Sequence, residues 1–416
     1  MYPGLLIRPT FLFCQMNIDG KTSGSRNAGE KCTERDVRIN GRIRAGMDGQ
    51  DGADGLARQL ALHREQCVHC GLCVRECAFL QENGTPGAIA ANRGGREPEL
   101  AFACSLCGLC GAVCPPAVGL RPDRLFLAMR REAVARGRAD LAPYRALLFY
   151  EKMGASRWLA GAFLPRDCDT VFFPGCALPG SRPDLLRALI AHLRRNMPRL
   201  GIVLDCCTKP SHDLGRQEYF ESRFHGLRRE LLARGVRNVL VACPSCHRVF
   251  RHHGHGLRVS TVYEHMEPLP RAGHPPVEVT VHDPCGAREE PAIHAAVRRL
   301  AEAGSLTVRE MEHHGARTIC CGEGGAAGCV RPEFARQWSR RRKEEAGNRR
   351  VVTCCAGCLG FLEPLVETSH ILDLLLMPGA ALAGRLRISR PPRTYLNRFF
   401  LKRWLGKMFA GCQRLR

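Results

Sequence analysis

CVHCGLCVREC at residues 67–77 and CSLCGLCGAVC at residues 104–114 share one cysteine spacing, C-x2-C-x2-C-x3-C. Cys67, Cys70, Cys73 and Cys77 make up the first run; Cys104, Cys107, Cys110 and Cys114 make up the second. Gly71 and Gly108 fall at matched places after the second cysteine of each, where a tight loop has to turn. Pro115 follows the second run, whereas Ala78 follows the first. Around these runs lies a chain of 416 residues with 24 cysteines, long enough for two or three domains with separate cores. Disulfide-dense chains are mostly short and secreted. The first 15 residues here have a short apolar run but neither a basic lead nor a small-residue cleavage site. No uninterrupted apolar stretch reaches the ~18 residues that a membrane helix needs. The expectation is a cytoplasmic chain whose thiols stay reduced and open to metals.

The geometry of the runs selects the metal. Three thiolates in a short loop reach three irons of one cube, and the fourth, on the following turn, reaches a neighbouring cube. This is the bacterial ferredoxin pattern. It assigns Cys67, Cys70, Cys73 and Cys114 to one cubane [4Fe–4S] cluster, and Cys104, Cys107, Cys110 and Cys77 to a second. Zinc sites usually close with four ligands in two pairs, often with histidine, and fit a doubled three-plus-one pattern poorly. The formal charge of +22 is spread along the chain rather than gathered in one arm, so no nucleic-acid partner is expected.

Composition divides the rest. Residues 1–55 are rich in Gly, Ser, Asn, Asp and Arg and read as a disordered extension. Residues 56–125 hold the ferredoxin-type segment, and 126–167 read as a helical connector. From 168 onward, the strand candidates TVFFPG, GIVLDC, NVLVAC, VEVTVH, ARTICC and RVVTCC alternate with amphipathic helical stretches, a pattern of parallel α/β units. This region is also a repeat. FFPGCALPG at 172–180 matches VHDPCGARE at 281–289, VLDCCTKP at 203–210 matches TICCGEGG at 318–325, and LVACPSC at 240–246 matches VTCCAGC at 352–358. Two modules follow, at 168–272 and 273–380, with a basic tail at 390–416. The fold class is α+β: an α-helical segment for two [4Fe–4S] clusters, then a duplicated α/β cysteine-rich module.

Each module brings five cysteines to predicted strand ends, where α/β folds place ligands. They are Cys176, Cys206, Cys207, Cys243 and Cys246 in the first, and Cys285, Cys320, Cys321, Cys355 and Cys358 in the second, with Cys354 an extra neighbour. Five thiolates exceed what a tetrahedral zinc or a simple cube uses, and adjacent cysteines can span a multi-iron cluster. The pattern resembles the cysteine-rich "CCG" domain of heterodisulfide reductase B- and D-type subunits. It is also similar to the iron–sulfur subunits of glycolate oxidase and anaerobic glycerol-3-phosphate dehydrogenase. The signature itself stands at Cys320, Cys321 and Gly322, while the first copy has Thr208 in place of the glycine. The resemblance spans roughly residues 60–375. It implies a noncubane [4Fe–4S] cluster in each module, held by the five cysteines named. It implies a relay subunit that carries electrons from a flavin-dependent dehydrogenase, or another reductase subunit, to a quinone or similar acceptor. The alternative is a disulfide or heterodisulfide reductase with its catalytic site between the two noncubane clusters.

The glycines Gly322, Gly324, Gly325 and Gly328 mimic a dinucleotide loop, but they follow a cysteine pair, and close backbone approach explains them better. His247, His282 and Asp283 flank ligand candidates and either tune a cluster through its sulfur or cap a helix. His252, His253 and His255 read as an exposed loop, and Cys14, Cys32, Cys168, Cys329 and Cys412 as free thiols. In the tail, Tyr395, Leu396, Phe399, Phe400, Trp404, Leu405, Met408 and Phe409 are expected on one helical face. Such a basic amphipathic helix suits a peripheral contact with the inner face of a membrane, docking on a partner, or an ordinary core.

Overall fold

Five of the six strand candidates pair into two sheets in the computed structural model, which describes residues 55–267, 269, 276–386, 388–410 and 413–414. Residues 1–54 of the expected extension, with Cys14 and Cys32, lie outside the described residues, as does Cys412. The first sheet contains β1 (Gly161–Leu164), β2 (Thr170–Phe173), β3 (Gly201–Leu204), β4 (Asn238–Val241) and β5 (Arg258–Thr261). The second contains β6 (Val277–His282), β7 (Leu306–Val308), β8 (Arg350–Thr353) and β9 (Thr368–His370). A short β10 (Gln413–Arg414) returns to the first sheet, giving the orders β10-β1-β3-β2-β4-β5 and β7-β6-β8-β9. The parallel blocks β3-β2-β4-β5 and β7-β6-β8-β9 have the same relative order, so the repeat read from the cysteines is also a repeat of topology. β1 is antiparallel to β3, so the connector read as helical over 126–167 contains a strand near its end.

One candidate is not a strand. ARTICC contains a short 3-10 turn at Gly315–Arg317, and the ladder position beside β6 is taken by Leu306–Val308. Buried arginines satisfy the backbone there instead. Arg288 donates to the carbonyls of Ala316 and Thr318, and Arg342 to that of Ile319. Because those carbonyls already have donors, the segment needs no sheet neighbour.

The N-terminal segment is a set of short helices around the two thiol loops. Gly71 (φ 75°) and Gly108 (φ 74°) sit in the left-handed region just before the helices Leu72–Glu76 and Leu109–Ala112, which is why glycine recurs there. A longer helix, Pro122–Ala135, starts with proline and Asp123 in its first turn and buries Leu125, Phe126, Met129 and Ala133. Phe79 packs edge-on to Phe126 at 5.0 Å and to Phe334 of the second module at 6.4 Å. Arg130 binds this segment to both modules. Fully buried, it donates to the carbonyls of Ala101, Phe102, Cys104, Asp213 and Gly325.

The largest core belongs to both modules: Leu186, Ile190, Val262, Val281, Leu300 and Leu372 lie in one contiguous cluster. The tail helix, Arg393–Met408, joins that core, but not by the expected face. It buries Thr394, Arg398, Leu401 and Leu405, while Leu396 and Phe400 are more than half exposed. Packing against the first module, rather than the aromatic pattern, decides which side turns inward. His252 and His253 end the helix Pro244–His253 instead of lying in a loop. His253 is buried edge-on to Phe220 at 4.8 Å, while His255 is exposed.

Candidate metal centres

Cys67, Cys70, Cys73 and Cys114 line one recess, together with Cys110. Cys70 is exposed, and Cys67, Cys73 and Cys114 are half-buried, so this set lies nearest the solvent. The helix Pro86–Asn92 presses on it: a Cβ on Gly87 would come within 2.6 Å of the Cys67 Cβ. Burial pushes the Cys73 thiol up to about 11, with the nearby Cys67 and Cys70 thiols adding to the shift.

Cys77, Cys104, Cys107 and Cys110 form the second set, deeper in the molecule. Burial raises each thiol, Cys77 to about 12, and the neighbouring cysteines raise them further. This set touches the second module directly. Cys107 packs in one cluster with Ile319, Cys320 and Trp338, with Cys77 and Cys285 against it. Arg288 spans the contact, donating through Nε to the Cys107 carbonyl at 3.0 Å. The glycines after the Cys320–Cys321 pair belong to this contact. A Cβ on Gly324 would lie 2.5 Å from the Ser105 carbonyl and 2.9 Å from Cys320 Sγ, and one on Gly325 2.8 Å from the Cys104 carbonyl. The close approach is thus mainly to the ferredoxin backbone.

Eight of the ten module cysteines follow the carboxyl ends of β2, β3, β4, β6 and β8, while Cys320 and Cys321 lie on the irregular ARTICC segment. Cys176 hydrogen-bonds Cys206, and Cys246 lies 3.3 Å from Cys207 and also bonds Cys243. In the second module the contacts run Cys285, Cys320, Cys321, Cys358, Cys355. Cys243 and Cys355 lie close enough across the module boundary for each to shift the other's thiol. Beside that junction, Tyr263 Oη lies 2.6 Å from the Ala242 carbonyl and 2.8 Å from the Cys354 carbonyl. Neighbouring thiols that donate to them pull Cys176, Cys243 and Cys321 down, Cys321 to about 6. Burial and thiol neighbours push Cys206, Cys246 and Cys358 up. Cys243 and Cys355 each precede the first turn of a helix, which places Cys246 and Cys358 back over the same strand end.

The Cys-Cys pairs are followed by matched backbone. Thr208 adopts φ 60° and Gly322 φ 108°, both in the left-handed region. Gly322 has a second reason to lack a side chain, since a Cβ would sit 2.7 Å from Ser339 Oγ and 2.8 Å from the Ala335 carbonyl.

Buried polar groups ring the thiols. Arg398, from the tail helix, is 1% exposed; its Nε and Nη1 have no partner, and its Nη1 lies on the Gly154 face that also meets the Cys176 Cβ. The aromatic pattern of the tail gave no signal for this arginine. Glu323 is held against Gly357, and burial raises its carboxyl to about 7. Asp283 is structural: Arg298 holds it at 2.9 and 3.0 Å, and it accepts the Gly315 N–H. His247 is buried 4.0 Å from Glu290. His282 is fully buried, and neither ring nitrogen has a partner. Cys168 is buried and donates to the Thr170 carbonyl, and Cys354 packs in the shared core. No disulfide joins any described cysteine. Grouped buried thiols beside unpartnered N–H donors are the donor set that an anionic, thiolate-ligated iron–sulfur cluster requires.

The comparisons agree with this donor set. Residues 64–118 match the 4Fe-4S dicluster domain, and residues 170–251 and 279–363 match the cysteine-rich domain. The chain belongs to the iron–sulfur proteins that join a 4Fe-4S dicluster domain to two cysteine-rich domains. A fumarate reductase (CoM/CoB) subunit of Methanothermobacter marburgensis is 23% identical over 351 residues, covering 75% of this chain and 70% of the relative. An uncharacterized iron–sulfur protein of Methanocaldococcus jannaschii is 23% identical, covering 70% of this chain and 66% of the relative. A similar protein of Methanococcus maripaludis is 22% identical, covering 66% and 62%. The chain thus spans about two thirds of the length of these relatives. Among solved structures, an aspartate racemase from Picrophilus torridus covers 55% of this chain and 99% of its own at 10% identity, with a TM-score of 0.27 that carries no argument.

Proposed function

We propose that the chain is the iron–sulfur electron-transfer subunit of a larger oxidoreductase. In this reading Cys67, Cys70, Cys73 and Cys114 hold one cubane [4Fe–4S] cluster, and Cys77, Cys104, Cys107 and Cys110 a second. Cys176, Cys206, Cys207, Cys243 and Cys246 hold a noncubane cluster, and Cys285, Cys320, Cys321, Cys355 and Cys358 another. Such clusters supply one-electron transfer when bound. The observation that carries the reading is the sequence of thiol contacts. It leads from exposed Cys70, through Cys107 against Cys285 and Cys320, to the Cys243–Cys355 junction. That order makes the solvent-facing first set the side for a partner, and the joined modules the far end.

The donor in this reading is a flavin-dependent dehydrogenase or another reductase subunit, and the acceptor a quinone or similar carrier. The chain works on the cytoplasmic side. No helix among the described residues is long and apolar enough to cross a membrane, and the tail helix leaves Leu396 and Phe400 exposed for a peripheral or partner contact. A relative that is a subunit of a named reductase supports work in a complex. Metal and sulfide analysis of anaerobically purified protein tests the assignment. Four clusters need about sixteen irons and as many labile sulfides, and tightly bound zinc in their place would retire it.

The face-to-face meeting of Cys243 and Cys355 also favours a second reading, disulfide cleavage between the modules. Anaerobic EPR with added disulfides separates the two. A new paramagnetic species supports cleavage here, and silence across a range of disulfides leaves the relay.

A further inference from the structure

We propose that His282 donates a hydrogen bond to sulfur of the iron–sulfur centre in the second module, making that centre easier to reduce than it would be with the phenylalanine that the first module has at the matching place. This rests on the reading above that Cys285, Cys320, Cys321, Cys355 and Cys358 hold a cluster.

His282 is the last residue of β6 and is 0% exposed. A ring nitrogen of His282 and the sulfurs of Cys321 and Cys358 all lie within 4.8 Å of one another. Both ring nitrogens are otherwise without a partner. In either tautomer an imidazole carries at least one N–H. Leaving that donor unmet in the interior is costly. The charged groups around it offer no relief: Arg342 and Arg288 are only donors, the Asp283 carboxylate is taken by Arg298 and the Gly315 N–H, and the Glu345 carboxylate by Arg342 and His313. The acceptors left within reach are sulfurs.

The internal repeat supplies a control. VHDPC at 281–285 falls on FFPGC at 172–176, so Phe173 occupies the place of His282. Phe173 is equally buried and packs edge-on to Phe250 at 5.1 Å. The fold therefore asks for a flat buried ring at this position, and only the second module adds an N–H to it. A donor on cluster sulfur favours the electron-rich reduced form and raises the potential. At this ring position the two thiol sets differ by one N–H donor, and the site that has it is the one touching the second ferredoxin set.

The test is a redox titration followed by EPR on the full chain, native and His282→Phe, the substitution that copies the first module. The expected result is about tenfold weaker reduction of one centre, about 59 mV for a one-electron couple, with the other midpoints unmoved. His282→Gln, which keeps an N–H of similar reach, recovers part of the shift. In native protein with isotope-labelled histidine, pulsed EPR shows weak nitrogen coupling at that centre. Unchanged midpoints in His282→Phe with full iron content overturn the proposal. So does the absence of histidine coupling, or a coupling strong enough for a nitrogen bonded to iron. If His282→Phe loses the centre, the labelled native chain still decides. A native chain without a second-module centre sinks the cofactor reading along with this one; a native centre without histidine coupling sinks only this one.

Discussion

Replacing Arg130 with methionine removes a side chain that touches all three parts of the molecule. Its guanidinium donates to Ala101 O at 3.0 Å, Phe102 O at 3.2 Å, Cys104 O at 2.6 Å, Asp213 O at 2.7 Å and Gly325 O at 2.8 Å. Hydrogen bonds from a charged donor are each worth about 1.5–3 kcal/mol, but they share one group and do not add. Burial of the charge works against them and depresses the ionisation of Arg130 itself. Arg130→Met relieves that cost and keeps much of the stem volume, yet leaves five carbonyls in places closed to water. The balance is a loss of about 3 kcal/mol, the scale of one or two buried acceptors left unmet at about 1–3 kcal/mol each. Urea unfolding of the anaerobic holoprotein, followed by cluster absorbance and tryptophan fluorescence, measures it. The two signals are expected to separate in the variant, because the ferredoxin segment loses its tie to both modules. A coincident transition within about 1 kcal/mol of the native chain would refute the argument.

Cys114→Ser is expected to perturb the cluster assigned to Cys67, Cys70 and Cys73 and leave the set containing Cys110 intact; EPR showing the reverse would end the crossed assignment. Gly322→Ala should destabilise by about 1–3 kcal/mol, combining a positive φ with contacts under 3 Å. Thr208→Gly, at φ 60°, should stabilise by up to about 1 kcal/mol, both read by chemical denaturation. Burial pushes the Asp373 carboxyl up to about 6 despite Arg182 at 2.9 Å. The folded chain then holds this proton more tightly than the unfolded one, so its contribution is full at low pH and is lost as pH rises through about 6. Stability on this account falls by up to about 3 kcal/mol between pH 4 and 6, and Asp373→Asn should flatten that slope in denaturation curves taken across the range.

Cysteine spacing by itself determined the two thiol loops and the two five-cysteine modules, because a loop of three residues limits where its thiols can point. The repeat was equally legible, since like segments at like spacing fold alike, and five of the six strand candidates are strands. Local pattern failed where long-range donors intervened. ARTICC has the composition of a strand, but Arg288 and Arg342, distant in sequence, take its carbonyls. The tail helix has an aromatic face, but the first module buries the side carrying Arg398 and Leu405. Only the tertiary structure decided that Cys107 lies against Cys285 and Cys320, and that Cys243 meets Cys355. The order of the thiol sets, and the unpartnered nitrogens of His282 and Arg398 beside them, are properties of packing between segments far apart along the chain. No periodicity along the chain encodes such a contact.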